Sequence, residues 1–495
     1  MRTTFGSFNI ATSGLFASQR ALDVTSHNVS NANTEGYSRQ ISLQRATLPM
    51  VGDPTGVVGT GVETYDVQRI RSEYLDHKFW SQNKTYAEWG AKESTLGELE
   101  GIFNEPSDTG IRQVMDDFFS SLEELSKKPS DSTCRVAVIE KANILTASIN
   151  RNGHEIASAI RDLDFDVKNK VEQINSLSQR IVNLNKQIFT SELDGHMAND
   201  LRDQRGVLLD QLSSIVNIDV SEIPGENGNK YLDVKIGGMT LIDHYNYNKL
   251  TTVDVSDNNA QKNGLTDLGA GEISKVVWAD TPSQEVRIDG GELKGLIDLR
   301  DGDGQGMNYR GLPYYLNKLN EFAMGFAEGF NTQHKAGVDL NGNTGQNFFN
   351  VPAGDELINC INFKVNPDIV ANPNLLAASS NADGESNNEN VTKLVEYRQR
   401  NDIFDNSTGT ADDFIKSLLS ALSVDSSQAK RMTANSESLV QQTNIRRMSD
   451  SGVSLDEEMT NMVKFQQAYS ASARLITTLD KILDTTIRGM GLVGR

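Results

Sequence analysis

Two acidic, glycine-containing turns are the first places in these 495 residues where chemistry could reside. Asp301, Asp303, Gln305 and Gly306 occupy positions one, three, five and six of a calcium loop, but Leu312 stands where the bidentate carboxylate belongs. DLNGN, opening at Asp339, fails in the same way, with Asn350 in the twelfth place. Both are therefore read as turns and not as metal sites. The six histidines, at 27, 77, 154, 196, 244 and 334, include no HExxH and no pair four apart. No Walker loop, GxSxG or GxGxxG is present, and Cys134 and Cys360 lack CxxC spacing, so they read as isolated thiols. No catalytic residue, cofactor-binding residue or metal ligand is assigned, and the expectation is a protein that is not an enzyme and uses no cofactor.

A formal charge of -20 opposes docking on nucleic acid or anionic lipid, since either would repel most faces of the molecule. No apolar run approaches the length that spans a bilayer, so neither membrane insertion nor a nucleic-acid partner is expected. MRTTFGSFNIATSG lacks a continuous apolar core and a small-residue cleavage site. The chain is expected to stay in the cytoplasm or to leave by a route that reads no cleaved signal.

With chemistry set aside, the informative residues are those that place helices against helices. Phe8, Leu15, Leu22 and Val29 recur every seven positions, and Ala11, Ser18 and Thr25 come three residues after the first three of them. That pattern is a narrow helical seam flanked by small residues, which allow close approach. Near the other end, steps of four and three from Leu455 give Met459, Met462, Gln466, Tyr469, Ala473, Ile476, Asp480, Leu483 and Ile487, again a seam and not a broad face. A helix of this length is marginal alone in water, so both terminal helices are expected to become firmly ordered against neighbouring copies. NANTEGY closes the first helix as a turn, with left-handed backbone expected at Asn33 or Gly36 and with Tyr37 and Arg39 placed to pack and hydrogen-bond. Ser454 is read as the cap of the last helix, with Glu457 completing a capping box.

Between these ends, residues 66–215 read as helical. Pro106 and Pro129 mark breaks, with Ser107 or Asp108 as a cap. Ile160, Val167, Ile174, Ile181 and Ile188 form one heptad line of a long helix, and Ile149, Ile156, Leu163, Leu177 and Leu184 form the other, interrupted at Lys170. Alternating strands come next over about 216–290, then helix over about 308–335, a turn-rich stretch over 345–410 and helix again over 411–490.

SGLFASQRALDVTSHNVSNANTEGYSRQ resembles the amino-terminal signature of the bacterial flagellar axial proteins, the family of rod, hook and hook-associated proteins, and SGVSLDEEMTNMVKFQQAYSASARLITTLDKILDTTI is similar to their closing helix. EPSDTG, FFSSLEELSKKPSD, DLRDQRGVLLDQLS, GGELKGLIDLRD and FNTQHKAGVDLNGN resemble the hook-associated branch. Lys481 and Cys134 depart from the usual pattern, both off the seams, and 221–285 and 351–410 show no match.

The resemblance implies an α+β, elongated multidomain protein in which both chain ends form terminal coiled-coil helices and a long helical bundle, with β-rich outer parts inserted in the middle. The expected domains are 1–60 with 450–495 (terminal, axial), 61–215 with 308–449 (helical rod), 216–307 (β-rich, outer) and 351–410 (irregular insertion). The implied function is a structural subunit between flagellar hook and filament, made in the cytoplasm and exported by the type III route. The implied partners are further copies of the chain, hook protein, the second junction protein FlgL and a cytoplasmic export chaperone. Phe8, Ala11, Leu15, Ser18, Leu22 and Val29 are the expected subunit contacts at one end. Leu455, Met459, Met462, Tyr469, Ile476, Leu483 and Ile487 are the subunit and chaperone contacts at the other. The alternatives are another axial protein, such as hook protein, or a junction protein with a hydrolase-like outer domain.

Overall fold

A computed structural model describes residues 6–53, 56–104, 110–224, 230–254, 273–350, 357–381, 386–404 and 409–490. In chain order the elements are α1 (Gly6–Ser30), β1 (Gln40–Ala46), β2 (Met50–Asp53), β3 (Gly56–Val58), β4 (Val62–Arg69), α2 (Glu73–Phe103), α3 (Ile111–Lys127), α4 (Ser132–Ser191) and α5 (Asn199–Ile215). Then come β5 (Asp219–Pro224), β6 (Lys230–Ile236), β7 (Met239–Asp243), β8 (Asn246–Tyr247), β9 (Leu250–Asp254), β10 (Ser274–Trp278), β11 (Thr281–Glu285), α6 (Glu292–Asp301) and α7 (Leu312–Lys335). The chain closes with β12 (Phe349–Asn350), β13 (Lys364–Val365), α8 (Pro367–Ala371), α9 (Glu389–Glu396), α10 (Ala411–Ser451) and α11 (Leu455–Met490). Long helices at both ends with β structure between them make this an α+β protein.

The chain forms two compact units: Met1–Lys84, Ile174–Lys249 and Ser436–Arg495 make the first, and Thr85–Gln173 with Leu250–Asn435 the second. The first holds the antiparallel pair β1–β4, the pair β2–β3 and a four-stranded sheet of order β5-β6-β7-β8. Gly237 and Gly238, both at positive φ, turn β6 into β7. The second holds the sheet β11-β10-β9 and the short pair β12–β13. The strands expected over about 216–290 thus lie in two sheets, one in each unit, and the last of them ends at Glu285, short of the expected bound.

Residues 66–69, expected to be helical, are the end of strand β4, and the first helix after them begins at Glu73. The reason is local: Gly52, Pro54, Gly56, Gly59 and Gly61 suppress helix before a segment rich in Val, Thr and Tyr, which favours the pleated backbone. α3 starts at Ile111 with Gly110 as its N-cap, whereas the expected caps Ser107 and Asp108 lie outside the described residues. The heptad lines of α4 do face the core. Ile149, Ile156, Ile160, Val167, Ile174, Ile181 and Ile188 are all buried, and Leu184 is half-buried.

The second unit is centred on aromatic rings. Phe322, Phe326 and Phe330 share one face of α7 at intervals of four and meet Phe118, Phe348, Phe349 and Tyr397, all fully buried. At the end of α7 the ring of His334 is fully buried between two backbone groups, with Nδ1 2.6 Å from the Gln346 carbonyl and Nε2 accepting from Ala377 N–H at 3.0 Å. Only the neutral ring protonated at Nδ1 satisfies both contacts. Burial, with Arg135 adding repulsion, holds its pKa down at about 4 from an ordinary 6.5, although the Gln346 carbonyl pulls the other way.

The unfolded chain therefore takes up this proton first as pH falls. The histidine's stabilising contribution is complete above about 6.5 and is lost as pH drops toward 4, about 3 kcal/mol in all. Thermal melts of wild type and His334→Gln from pH 7.5 to 4 should differ in slope over that window, wild type falling more steeply. Parallel curves would show that the ring does not couple to folding.

Candidate subunit interface

The serines and threonines of α1 would disfavour a buried helix if their hydroxyls were left unpaired. Each of three bonds the carbonyl one turn back: Thr12 to Phe8 at 2.9 Å, Ser18 to Gly14 at 2.8 Å and Thr25 to Ala21 at 2.9 Å. With those hydroxyls satisfied, Ala11, Ala17, Ser18, Ala21, Val24 and Thr25 are buried. This face of α1 packs on α11 and also touches β1 and β4. The approach is close: a Cβ on Gly14 would stand 3.3 Å from Ser472 Oγ.

Among the expected contacts of α1, Ala11 and Ser18 are buried within the subunit, whereas Phe8, Leu15, Leu22 and Val29 are half-buried. Small residues bring the helices together, so the large ones sit beside the contact instead of inside it. On α11, Met462, Ile476 and Leu483 are half-buried, while Leu455, Met459, Tyr469 and Ile487 are between 37 and 72% exposed. A line outside the heptad reading, Phe465, Ser472 and Leu479, is half-buried with them. A further line, Leu475 and Ile482, is more than half exposed, as is Val463. The seven-residue spacing of Leu475 and Ile482 is the signal in the sequence that could have found it.

The turn after α1 is built round Asn28, which is 1% exposed. Its Nδ2 donates to the Gln40 carbonyl at 2.9 Å and to Glu458 Oε2 at 3.0 Å; its Oδ1 accepts from Gln40 N–H at 2.9 Å and from Tyr37 Oη at 2.8 Å. Tyr37 Oη also lies 3.0 Å from His27 Nδ1, and burial followed by the charges of Asp200, Asp203 and Glu458 raises the phenol's pKa, keeping it a donor. Arg39 donates from Nη1 to Glu457 at 2.7 Å and sets Nε 2.8 Å from Glu458 Oε1, the latter as an ion pair without aligned hydrogen-bond geometry. Arg39 N–H also donates to the Ser451 carbonyl at 2.8 Å. Ser38 gives both its N–H and its hydroxyl to Asp203 of α5.

Gly36, not Asn33, takes the left-handed backbone, at φ 77°, and a Cβ there would lie 2.1 Å from Val207 Cγ2. Asn33 is exposed. Glu457, expected to fold back on Ser454, binds Arg39. Its neighbour Glu458 is 2% exposed and holds the clasp together. Asn28, Glu458 and Asp203 do not stand out in the sequence, because a buried polar hub has the same composition as a solvated turn.

The junction of α10 with α11 is tied into the same unit. Arg447 lies 3.0 Å from Asp76 and 2.9 Å from Asp210, and Trp80 Nε1 donates to Asp210 at 2.6 Å. An open groove of about 940 Å³, lined among others by Ala32, Glu35, Phe79, Val207, Arg447 and Met448, runs between the turn and this junction. The two acidic turns set aside earlier use their carboxylates locally. Asp303 accepts from Gln305 N–H and Asn308 Nδ2, and Asp339 from Asn341 and Asn343 N–H. Among the described residues no helix is long and apolar enough to cross a membrane.

An amino-terminal helix is clasped to a closing helix, with apolar side chains left uncovered, and in comparison with known proteins both of these ends match flagellar family models. Residues 8–37 match the family model for flagella basal body rod protein, and 446–489 match that for the flagellar basal body rod FlgEFG protein C-terminal region. Residues 96–349, more than half of the chain, match the flagellar hook-associated protein FlgK helical domain.

Flagellar hook-associated protein 1 of Bacillus subtilis is 33% identical over the full length of both chains, and that of Escherichia coli is 27% identical over 97% of this chain and 98% of its own. The flagellar hook junction protein FlgK of Burkholderia pseudomallei shares the fold, with a TM-score of 0.62 at 15% identity, over 77% of this chain and all of that one. The chain belongs to the flagellar hook-associated protein 1 family, a structural family of the bacterial flagellum.

Replacing Asn28 by Ala would take the amide hydrogen bond from Glu458, leaving it Arg39, and would remove both side-chain bonds to the Gln40 backbone, and should cost about 1–3 kcal/mol. The expected result is faster hydrogen exchange in both α1 and α11, since one side chain serves both. Gly36→Ala should act in the same direction through the clash with Val207.

Proposed function

We propose that the chain is a structural subunit of the junction between hook and filament, and that it polymerises through α1 and α11. The observation carrying this reading is the uncovered apolar set on α11, Leu455, Met459, Val463, Tyr469, Leu475, Ile482 and Ile487, beside a seam that α1 fills with small residues. A helix apolar on more than one side is stable in a larger core, and neighbouring terminal helices supply that core. The half-buried Phe8, Leu15, Leu22 and Val29 flank the same seam and would complete the contact from the α1 side. In this scheme 1–60 with 450–495 is the axial domain, and 216–307 and 351–410 are outer parts.

The partners in this reading are further copies of the chain, hook protein on one side and FlgL on the other. Before assembly, a cytoplasmic export chaperone covers the open face of α11, and export proceeds without a cleaved signal. The work is mechanical, and no catalytic residue takes part in it.

Leu475→Asp with Ile482→Asp tests this, because exposed positions outside special contacts change monomer stability by only about 0.5 kcal/mol. The double variant should keep the wild-type melting curve and fail to join hook to filament in cells. Deleting 1–30 or 455–495 should likewise abolish assembly and leave the second unit folded. A double variant that assembles normally would remove α11 from the interface.

A further inference from the structure

We propose that the first unit binds a small polyvalent oxyanion, of which inorganic phosphate is the simplest, in a cavity of about 120 Å³ walled by Arg69, Arg71, Arg202, Arg205 and Lys230. Those five permanent cations share the walls with three carboxylates, Glu73, Asp76 and Glu222. Glu73 is 76% exposed at the rim. The other two are each divided among several cations. Asp76 holds Arg71 at 2.7 Å and Arg447 at 3.0 Å, while Glu222 holds Arg205 at 2.6 Å, Arg202 at 3.5 Å and Lys230 at 3.4 Å. Behind the wall, Asp203 is shared by Arg69 at 2.7 Å and Arg71 at 3.5 Å, and Glu192 is bound by Arg202.

Four guanidinium groups carry twenty N–H donors, about five each, in rigid forks. Among the described residues, hydrogen bonds to carboxylates and to Asn185 engage Nη1 of Arg69 and two nitrogens each of Arg71, Arg202 and Arg205, and the other N–H groups of these forks are available to an anion. The forks come from different elements: Arg69 ends β4, Arg71 precedes α2, and Arg202 and Arg205 project from α5. Donors converging from several directions suit a tetrahedral anion better than a planar one. Two of the four arginines feel the crowding of positive charge. Burial brings Arg205 down to about 10, with Glu222 pulling the other way and Arg202 and Arg69 adding repulsion, and burial with Arg71 lowers Arg69, whereas Glu192 raises Arg202 and Asp76 raises Arg71 against burial. An anion in the cavity would offset that repulsion, whereas a metal cation would add to it. The space accommodates a few waters or one such oxyanion.

The test is calorimetric titration of the full-length chain with phosphate at pH 7.5, against chloride at the same ionic strength. One saturable site is expected, with sulfate competing. Lys230→Glu, at a half-exposed rim position, should weaken phosphate at least tenfold while the far-ultraviolet spectrum stays unchanged. Lys481→Glu, the same charge change on exposed α11, should leave the affinity alone. Three outcomes would overturn the site: no heat beyond that of chloride, unchanged affinity in folded Lys230→Glu, or equal weakening in both variants, which would mark general screening.

Discussion

A single buried carboxylate governs how the two ends of this chain meet. Glu458 begins the last helix almost without water, and an ionised group in that position is tolerable only with charge and hydrogen bonds supplied by the protein. Arg39 supplies the charge and Asn28 the hydrogen bond, from residues more than 400 positions away in sequence. Asn28 can do this because its own amide is fixed by the backbone of Gln40 and by the hydroxyl of Tyr37. The register of α1 against α11 is set by these contacts, since sliding α11 by a turn would strand Glu458 away from Arg39 and Asn28.

The close helix contact depends on that register. Alanine, serine and threonine provide little apolar area, so the α1–α11 pair draws its cohesion from proximity and from the clasp more than from large buried side chains. The bulky residues of both helices remain half-covered or open. The second unit is built the opposite way. Its Phe-rich centre is closed within the unit, and even its histidine is held neutral by backbone partners. The second unit closes its apolar centre within itself, while the terminal pair retains open apolar surface.

Periodicity is the most legible part of the sequence. The heptad lines of α4 are buried where their spacing places them, because that pattern reflects one-sided burial, whereas burial along the strands does not alternate: Leu232, Asp233 and Val234 of β6 are buried in succession and Thr281–Glu285 is exposed throughout. Gly36 is readable as one of two left-handed candidates, and only the position of Val207 explains why glycine is required there. The end of β4, residues 66–69, reads as helix from the sequence, because the long helical pattern beginning at Glu73 masks the glycines and β-branched residues ahead of it. The heptad reading of α11 finds one apolar line and passes over Phe465, Ser472 and Leu479, since a single periodic template cannot reveal which of several lines meets the partner helix.

By itself, the sequence determined the local elements, the seams and the two end motifs that mark the family, because those depend on neighbours within a few turns of chain. Tertiary structure alone decided which polar residues are buried. Asn28, Glu458, Asp203 and the arginines around the small cavity look like ordinary surface residues when read along the chain. They become a clasp and a cationic pocket because distant segments bring them together, where lost hydration makes each pairing consequential.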